Sequence, residues 1–351
     1  MTTSELETRL AARTLELCAI DSVIGNESAI ADHVEQWAHS IFGADVFRLS
    51  NSLVCGKASP SSLALFGHLD TVPPAANTQP PKRIGDRLHG LGTSDMKSGL
   101  AVMMALAESR NGEGLLLAFY DREEGPFEQS GLGPLLDARS DLLRAPLGIC
   151  LEPSDGAVQV GACGSLHATL RFSGKRAHSA RPWQGANAIH GAGPLLAELA
   201  ALPRREVKFD GLIFFEVFTV TLATAPGAAR NVVPDRFELN LNYRFAPGTS
   251  VDAAKANVLA LVAGRAEVHF TDTAPSGKAC LGNPIVRQLI AASGRAPEPK
   301  QAWTDVARLT ARGLDAVNFG PGETAQAHQA GESCAVSGLV HCYVALTTLF
   351  T

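Results

Sequence analysis

Ser62-Leu63-Ala64-Leu65-Phe66-Gly67-His68-Leu69-Asp70 is a short apolar run that ends on a glycine, an imidazole and a carboxylate. Ser62 to Phe66 is too short for a helix and suits a buried strand. Helical spacing of apolar residues precedes it, from about Ser4 to Ala19 and from about Glu27 to Phe42. After it comes Ser98 to Ser109, rich in Ala, Met and Leu and opened by Asp95-Met96-Lys97. Leu115 to Tyr120 and Leu147 to Leu151 are two further apolar strands. Strands alternating with helices predict an α/β fold, a mixed and mostly parallel sheet with helices on both faces. In such sheets ligands sit beyond the carboxyl ends of the strands. Each polar motif here follows a strand or opens a helix.

The middle of the chain has another rhythm. Ser165 to Phe172 alternates like a half-exposed strand, and Asn187 to Leu202 is helical. Phe214 to Ala223 and Arg236 to Phe245 read as strands, Val251 to Ala263 as a helix and Glu267 to Thr271 as a strand. That order, βαββαβ, predicts an antiparallel α+β domain of ferredoxin-like type. Asn283 to Ser293 and Asp305 to Arg312 then return to helical patterns, followed by a strand, Ala316 to Phe319, and a last helix from about Val336. The expected organisation is a catalytic domain over 1–163 and 279–351, interrupted by an inserted domain over 164–278. At roughly 150 residues per domain, 351 residues agree with two.

Composition excludes several classes. Thirty basic against 35 acidic residues leave a net charge of −5, and no Lys/Arg run exists to neutralise a phosphate backbone, so nucleic-acid binding is not expected. The apolar stretches are too short to span a bilayer. The start, Met1-Thr2-Thr3-Ser4-Glu5, lacks a basic and an apolar region, so a cytoplasmic protein without a signal peptide is expected. Seven scattered cysteines, none in a C-x-x-C pair, argue for reduced thiols and against a thiolate metal site. Any bound metal would need imidazole and carboxylate ligands.

Five segments carry such groups at strand exits: Gly67-His68-Leu69-Asp70, Gly92-Thr93-Ser94-Asp95, Asp121-Arg122-Glu123-Glu124, Leu151-Glu152-Pro153, and Gly320-Pro321-Gly322 with His328. Each also has a plain structural reading. Asp70 and Asp95 could cap turns or helices, and the acids after Tyr120 could be a solvated turn. Together they place an imidazole or carboxylate at five strand exits of one sheet, a donor set suited to zinc.

These segments resemble, in order and nearly throughout the chain, the M20 family of zinc aminoacylases and peptidases. Arg176-Ala177-His178-Ser179-Ala180-Arg181-Pro182 and Asn231-Val232-Val233-Pro234 match motifs of the family's inserted domain, and Trp303-Thr304-Asp305-Val306-Ala307-Arg308 its C-terminal part. The resemblance implies an amide hydrolase acting on a small N-acyl amino acid, most like the family's desuccinylases. Deacetylases and carboxypeptidases of the family are the alternatives, and a binding protein that has lost catalysis is a more distant one. It implies two zinc ions, with cobalt or manganese as substitutes. His68 and Glu152 would hold one ion, Glu124 and His328 the other, and Asp95, joined to Met96 by a cis peptide, would bridge them. Asp70 would orient His68 and Glu123 would be the general acid/base. His178 would reach the partner's active site in a homodimer, and Asn231, Arg244, Thr304 and Gly322 would contact substrate. The sequence departs from the family pattern where Gly90-Leu91-Gly92 replaces Gly-Arg-Gly, where Ala75 to Arg87 lacks a tryptophan, and where Asp21-Ser22 replaces Pro-Ser.

Overall fold

The structure is a computed structural model that describes residues 2–59 and 61–350. The chain divides into two compact units. One comprises the residues to Gly161, Lys278–Lys300 and the residues from Thr304; the other is Ala162–Gly277 with Gln301–Trp303.

The first unit is built on an eight-stranded sheet in the order Val46–Leu49, Ser52–Cys55, Leu115–Tyr120, Leu63–His68, Gly148–Pro153, Ala316–Gly320, Gln159–Val160, Glu298–Pro299. Its four central strands, Leu115–Tyr120 to Ala316–Gly320 in that order, run parallel. They are buried along their whole length, which is why they read as continuous apolar runs rather than alternating ones. One face carries Ala64, Phe66, Leu116, Ala118 and Tyr120 against Leu132, Leu135, Leu136, Val306 and Leu309 of two short helices. On the other face Lys97–Arg110 packs on the sheet, flanked by Thr3–Ala19 and Val336–Thr347. A Cβ at Gly99 would run into the Leu151 carbonyl, so glycine is what lets this helix lie so close to the sheet. Burying each Leu or Phe of these layers contributes about 1.5–3 kcal/mol. The fold class is the mixed, mostly parallel α/β architecture expected.

The second unit is a five-stranded antiparallel sheet in the order Arg205–Phe209, Leu212–Thr224, Arg236–Phe245, Gly164–Ser173, Glu267–Ala274. Ala188–Ala201 and Val251–Val262 cover one face, packing on Leu166, Leu170, Leu239 and Leu241. Their starts are capped by Asn187, which accepts from the Ile189 and His190 amides, and by Ser250, which accepts from Ala253. This sheet has one strand more than βαββαβ. Arg205–Phe209 pairs with Leu212–Thr224 around Asp210-Gly211, both at positive φ (47° and 79°), a two-residue hairpin that Asp-Gly favours. Gln301 joins the unit because its side chain meets the main-chain N–H and C=O of Phe215.

Further strands are too short to show a period in the sequence. Among them are Val46–Leu49 with Ser52–Cys55 at the sheet edge, and a small sheet of Lys82–Ile84, Arg87–His89 and Ser333–Ala335. Among the described residues no helix is long and apolar enough to cross a membrane.

Candidate metal centre

Parallel neighbours deliver their carboxyl ends to one edge of the sheet. Leu63–His68 ends on His68, and beside it Gly148–Pro153 carries Glu152 near its end. On its other side, Leu115–Tyr120 leads into the loop of Glu123 and Glu124. Ala316–Gly320, next to Gly148–Pro153, leads to His328. Asp95 precedes the helix Lys97–Arg110, whose N-cap is Met96 and which has no side-chain cap. The Asp95 carboxylate therefore does not cap the helix, and its peptide bond to Met96 is cis.

The side chains converge in two groups, His68–Asp95–Glu152 and Asp95–Glu124–His328, with the ligand atoms of each group within 4.8 Å of one another. Asp95 Oδ1 lies 3.2 Å from His68 Nε2, and its Oδ2 lies 3.6 Å from His328 Nε2. Glu152 Oε1 is 3.9 Å from His68 Nε2, and Glu124 Oε2 is 3.1 Å from His328 Nε2. One carboxylate thus faces both groups.

The donor set fits a cation in each group. His68 Nδ1 sits 2.9 Å from the Asp70 carbonyl, so Nδ1 carries the proton and donates it there. A neutral ring then points the Nε2 lone pair at carboxylate oxygens, acceptors facing acceptors. Glu152 Oε1 is buried without a hydrogen-bond partner. Only positive charge relieves this arrangement. Without metal the protein supplies it with protons. Burial works against a charged His68, yet hydrogen bonds to Asp70 and Asp95 hold its pKa well above the usual imidazole range. The Glu124 hydrogen bond raises His328 to about 9. Burial and the Asp95 charge push Glu152 up to about 7, and burial does the same to Glu332. Glu123 is held well above the usual carboxylate range, by burial first and by Glu152 next.

Asp70 meets His68 and also holds the neighbouring loop. It meets His68 through its main-chain carbonyl, while its carboxylate oxygens accept the amides of Glu123 (3.0 Å) and Glu124 (2.9 Å). Its Oδ1 also lies 3.6 Å from His68 Nδ1, within ion-pair distance of a protonated ring. The carboxylate faces the ring and fastens the loop as well, because the two amides point straight at it and a buried anion needs donors.

Gly322 packs its Cα against the Ser94 carbonyl, where any Cβ would collide, and its own carbonyl accepts from Ser154 and Asp155. Thr304 is buried with its hydroxyl unpartnered. In the second unit, Ala177–His178 pairs with Val232–Val233, so the His178 and Asn231 motifs adjoin. His178 is exposed and its Nδ1 accepts the Ala180 amide, leaving the proton on Nε2 as an outward donor. Arg244 is half-buried on its strand, with Nε donating to Asn242 at 3.1 Å. Two buried groups near the centre were not singled out from the sequence. Lys300 donates Nζ to the Pro153 carbonyl at 2.9 Å, and Glu332 accepts three loop amides. Each stands alone in its segment, and no spacing marks it.

The family model for peptidase family M20/M25/M40 matches residues 64–351. The chain belongs to the M20 peptidase family. A Mycobacterium tuberculosis protein assigned as a succinyl-diaminopimelate desuccinylase is 39% identical over 332 residues, covering 93% of each chain. Succinyl-diaminopimelate desuccinylase of Corynebacterium glutamicum is 37% identical over 338 residues, 92% of this chain and 91% of its own. Among solved structures, a Staphylococcus aureus tripeptidase superposes with a TM-score of 0.78 at 23% identity, over 98% of this chain and 97% of its own. A dinuclear metal-binding M20 peptidase of Bacillus subtilis superposes with a TM-score of 0.67 at 15% identity, over 99% and 98%. As an M20 member, this chain is a metal-dependent amide hydrolase.

Two predictions follow from the geometry of this M20 centre. The folded, metal-free chain keeps protons on Glu152 and Glu332 between pH 4.5 and about 7, where the unfolded chain releases them, and on His328 between 6.5 and about 9. Stability of the metal-free protein therefore falls as pH rises across both windows. Asp95 does not oppose this. Burial is the largest influence and raises it, but the His68 hydrogen bond and the charges of His68, His328 and Lys300 together outweigh burial and leave it below its usual value. Metal needs its ligands Glu152 and His328 deprotonated and binds more tightly as pH rises. Thermal unfolding with chelator and with excess zinc, from about pH 5.5 to about 8.5, should show a metal-induced shift that widens with pH; a constant shift would contradict it. Second, Asp70→Asn turns one acceptor of the Glu123–Glu124 loop into a donor. It should lower kcat by about 10–100-fold while His68, served by the carbonyl, keeps its tautomer. Steady-state kinetics with metal analysis checks this, and unchanged kcat would argue against a loop role.

Proposed function

We propose that the chain is a two-zinc amide hydrolase that removes the succinyl group from N-succinyl-L,L-diaminopimelate. The observation that carries the two-ion reading is Asp95, whose two oxygens face the two ligand groups. His68, Glu152 and Asp95 would hold one ion, and Glu124, His328 and Asp95 the other. Imidazole and carboxylate donors without thiolate suit zinc, with cobalt or manganese as substitutes. The choice of substrate rests on the two desuccinylase relatives. The seven unpaired cysteines suit a cytoplasmic enzyme.

When bound, the ions supply Lewis acidity, which makes a water nucleophilic near neutral pH and polarises the amide carbonyl. Glu123 takes the proton of the attacking water and passes it to the leaving amine. Its low-dielectric surroundings and the neighbouring carboxylates favour the proton-holding form, which suits the second half of that task. Arg244 grips a substrate carboxylate bidentately, and Asn231, Thr304 and Gly322 line the remaining contacts. The chain works as a homodimer through its inserted unit, and His178 Nε2–H of one subunit donates to the oxyanion forming in the other. One such donor is typically worth ~3 kcal/mol.

A substrate panel with defined zinc tests the reading. N-succinyl-L,L-diaminopimelate should exceed N-acetylornithine and simple dipeptides in kcat/KM, and a preference for either competitor would reassign the enzyme within its family. The trans role of His178 has its own check. Mixing inactive Glu123→Gln with inactive His178→Ala protein should restore about a quarter of wild-type activity if subunits re-assort freely, because one site in a mixed dimer then has both groups. No recovery after verified subunit exchange would refute action in trans.

A further inference from the structure

Glu332 is a buried carboxylate that the chemistry above does not use. It precedes the strand Ser333–Ala335, which pairs with Arg87–His89, and its carbonyl accepts the Gly90 amide at 3.0 Å. Its main chain is therefore fastened on both sides. From there its side chain reaches the loop that leads into Asp95. Oε2 accepts the Gly92 amide at 2.9 Å, and Oε1 accepts those of Ser94 at 2.7 Å and Asp95 at 2.9 Å. Gly92 takes a positive φ of 80°, which turns its amide toward the same point as the other two. Converging main-chain amides of this kind form an anion nest. Here the chain fills the nest with its own carboxylate.

The last of the three amides belongs to Asp95 itself, the residue common to both ligand groups. Asp70 holds the Glu123–Glu124 loop by the same device, two oxygens on two successive amides. We propose that Glu332 is a positioning residue for Asp95, holding the loop Gly92–Asp95 so that one Asp95 oxygen faces each metal. The inference rests on the two-ion reading above. It makes Glu332 a determinant of affinity at both sites although it touches neither ion.

The test compares Glu332→Ala and Glu332→Gln with wild type and with Glu108→Ala. Glu108 sits away from the centre and accepts from Arg9, Arg13 and Trp37, so its loss lowers stability without touching the loop. Zinc affinity of chelator-treated protein is measured by competition with a chromophoric chelator, alongside kcat, KM and thermal unfolding. Glu332→Ala should weaken both equivalents by about 10–100-fold, the range typical when a residue that orients a metal ligand is removed. Glu332→Gln should recover part of that loss, because its amide oxygen at the Oε1 position still accepts from Ser94 and Asp95. Glu108→Ala should keep wild-type affinity at whatever melting temperature it shows. Wild-type affinity in a folded Glu332→Ala protein would overturn the proposal, as would an equal loss of affinity in Glu108→Ala. Wild-type protein that binds no zinc would fell this inference and the two-ion reading together. Two tight equivalents in both wild type and Glu332→Ala would fell this inference alone.

Discussion

Asp95→Ala is expected to empty both metal sites at once and to lower kcat/KM by at least about 10³-fold, or about 4 kcal/mol of transition-state stabilisation. The expectation follows from the two oxygens of one side chain lying 3.2 Å from His68 Nε2 and 3.6 Å from His328 Nε2. Removing it leaves one imidazole and one glutamate in each group, two protein ligands where zinc usually takes at least three. Glu152→Ala and His328→Ala should behave differently, since each belongs to one group only. They should weaken one equivalent and leave the other measurable. Metal titration of the three variants decides the point. If Asp95→Ala kept one equivalent at wild-type affinity, the side chain would serve one ion and not two.

Glu123→Gln is expected to lower kcat by about 10²–10⁴-fold, the range for loss of a general acid/base. Both equivalents of metal should stay bound and KM should change little, because the group acts in the transition state rather than in binding. Gln keeps the size of the side chain and removes its ability to take up a proton. The neighbouring Glu124 makes the contrast sharp. One residue along the chain, its oxygens lie 3.2 and 3.1 Å from His328 Nε2, and Glu124→Gln should lose metal together with activity. If Glu123→Gln also lost zinc in step with turnover, Glu123 would be a ligand and the proton carrier would have to be sought elsewhere.

The sequence makes some of this legible and hides the rest for identifiable reasons. Leu115–Tyr120 was readable to the residue, because a buried parallel strand must be apolar on both faces and charged or glycine-rich segments bound it. The acids and imidazoles at strand exits were readable because a core gives such groups no reason to be there. Arg205–Phe209 was lost between charged residues, although Asp210-Gly211 beside it was a usable hairpin signal. The pairing of Asp70 with His68, two residues away, is local and legible, and the carboxylate lies 3.6 Å from His68 Nδ1. Its amide partners at 123 and 124 become neighbours only when Leu63–His68 and Leu115–Tyr120 pair side by side. Glu332 is the extreme case, meeting the Ser94 amide across 238 positions. Local pattern reports what a residue is beside in the chain. The groups that aim the ligands are set by what the sheet brings together.

Metal stoichiometry at full activity decides whether two ions serve the reaction. Zinc is titrated into chelator-treated wild-type protein while hydrolysis of N-succinyl-L,L-diaminopimelate is followed. Activity should be absent at the start, rise with bound zinc and level off at two equivalents per chain. Turnover that survives complete chelation, or full activity at a single equivalent with no second site detectable, would contradict the two-ion reading.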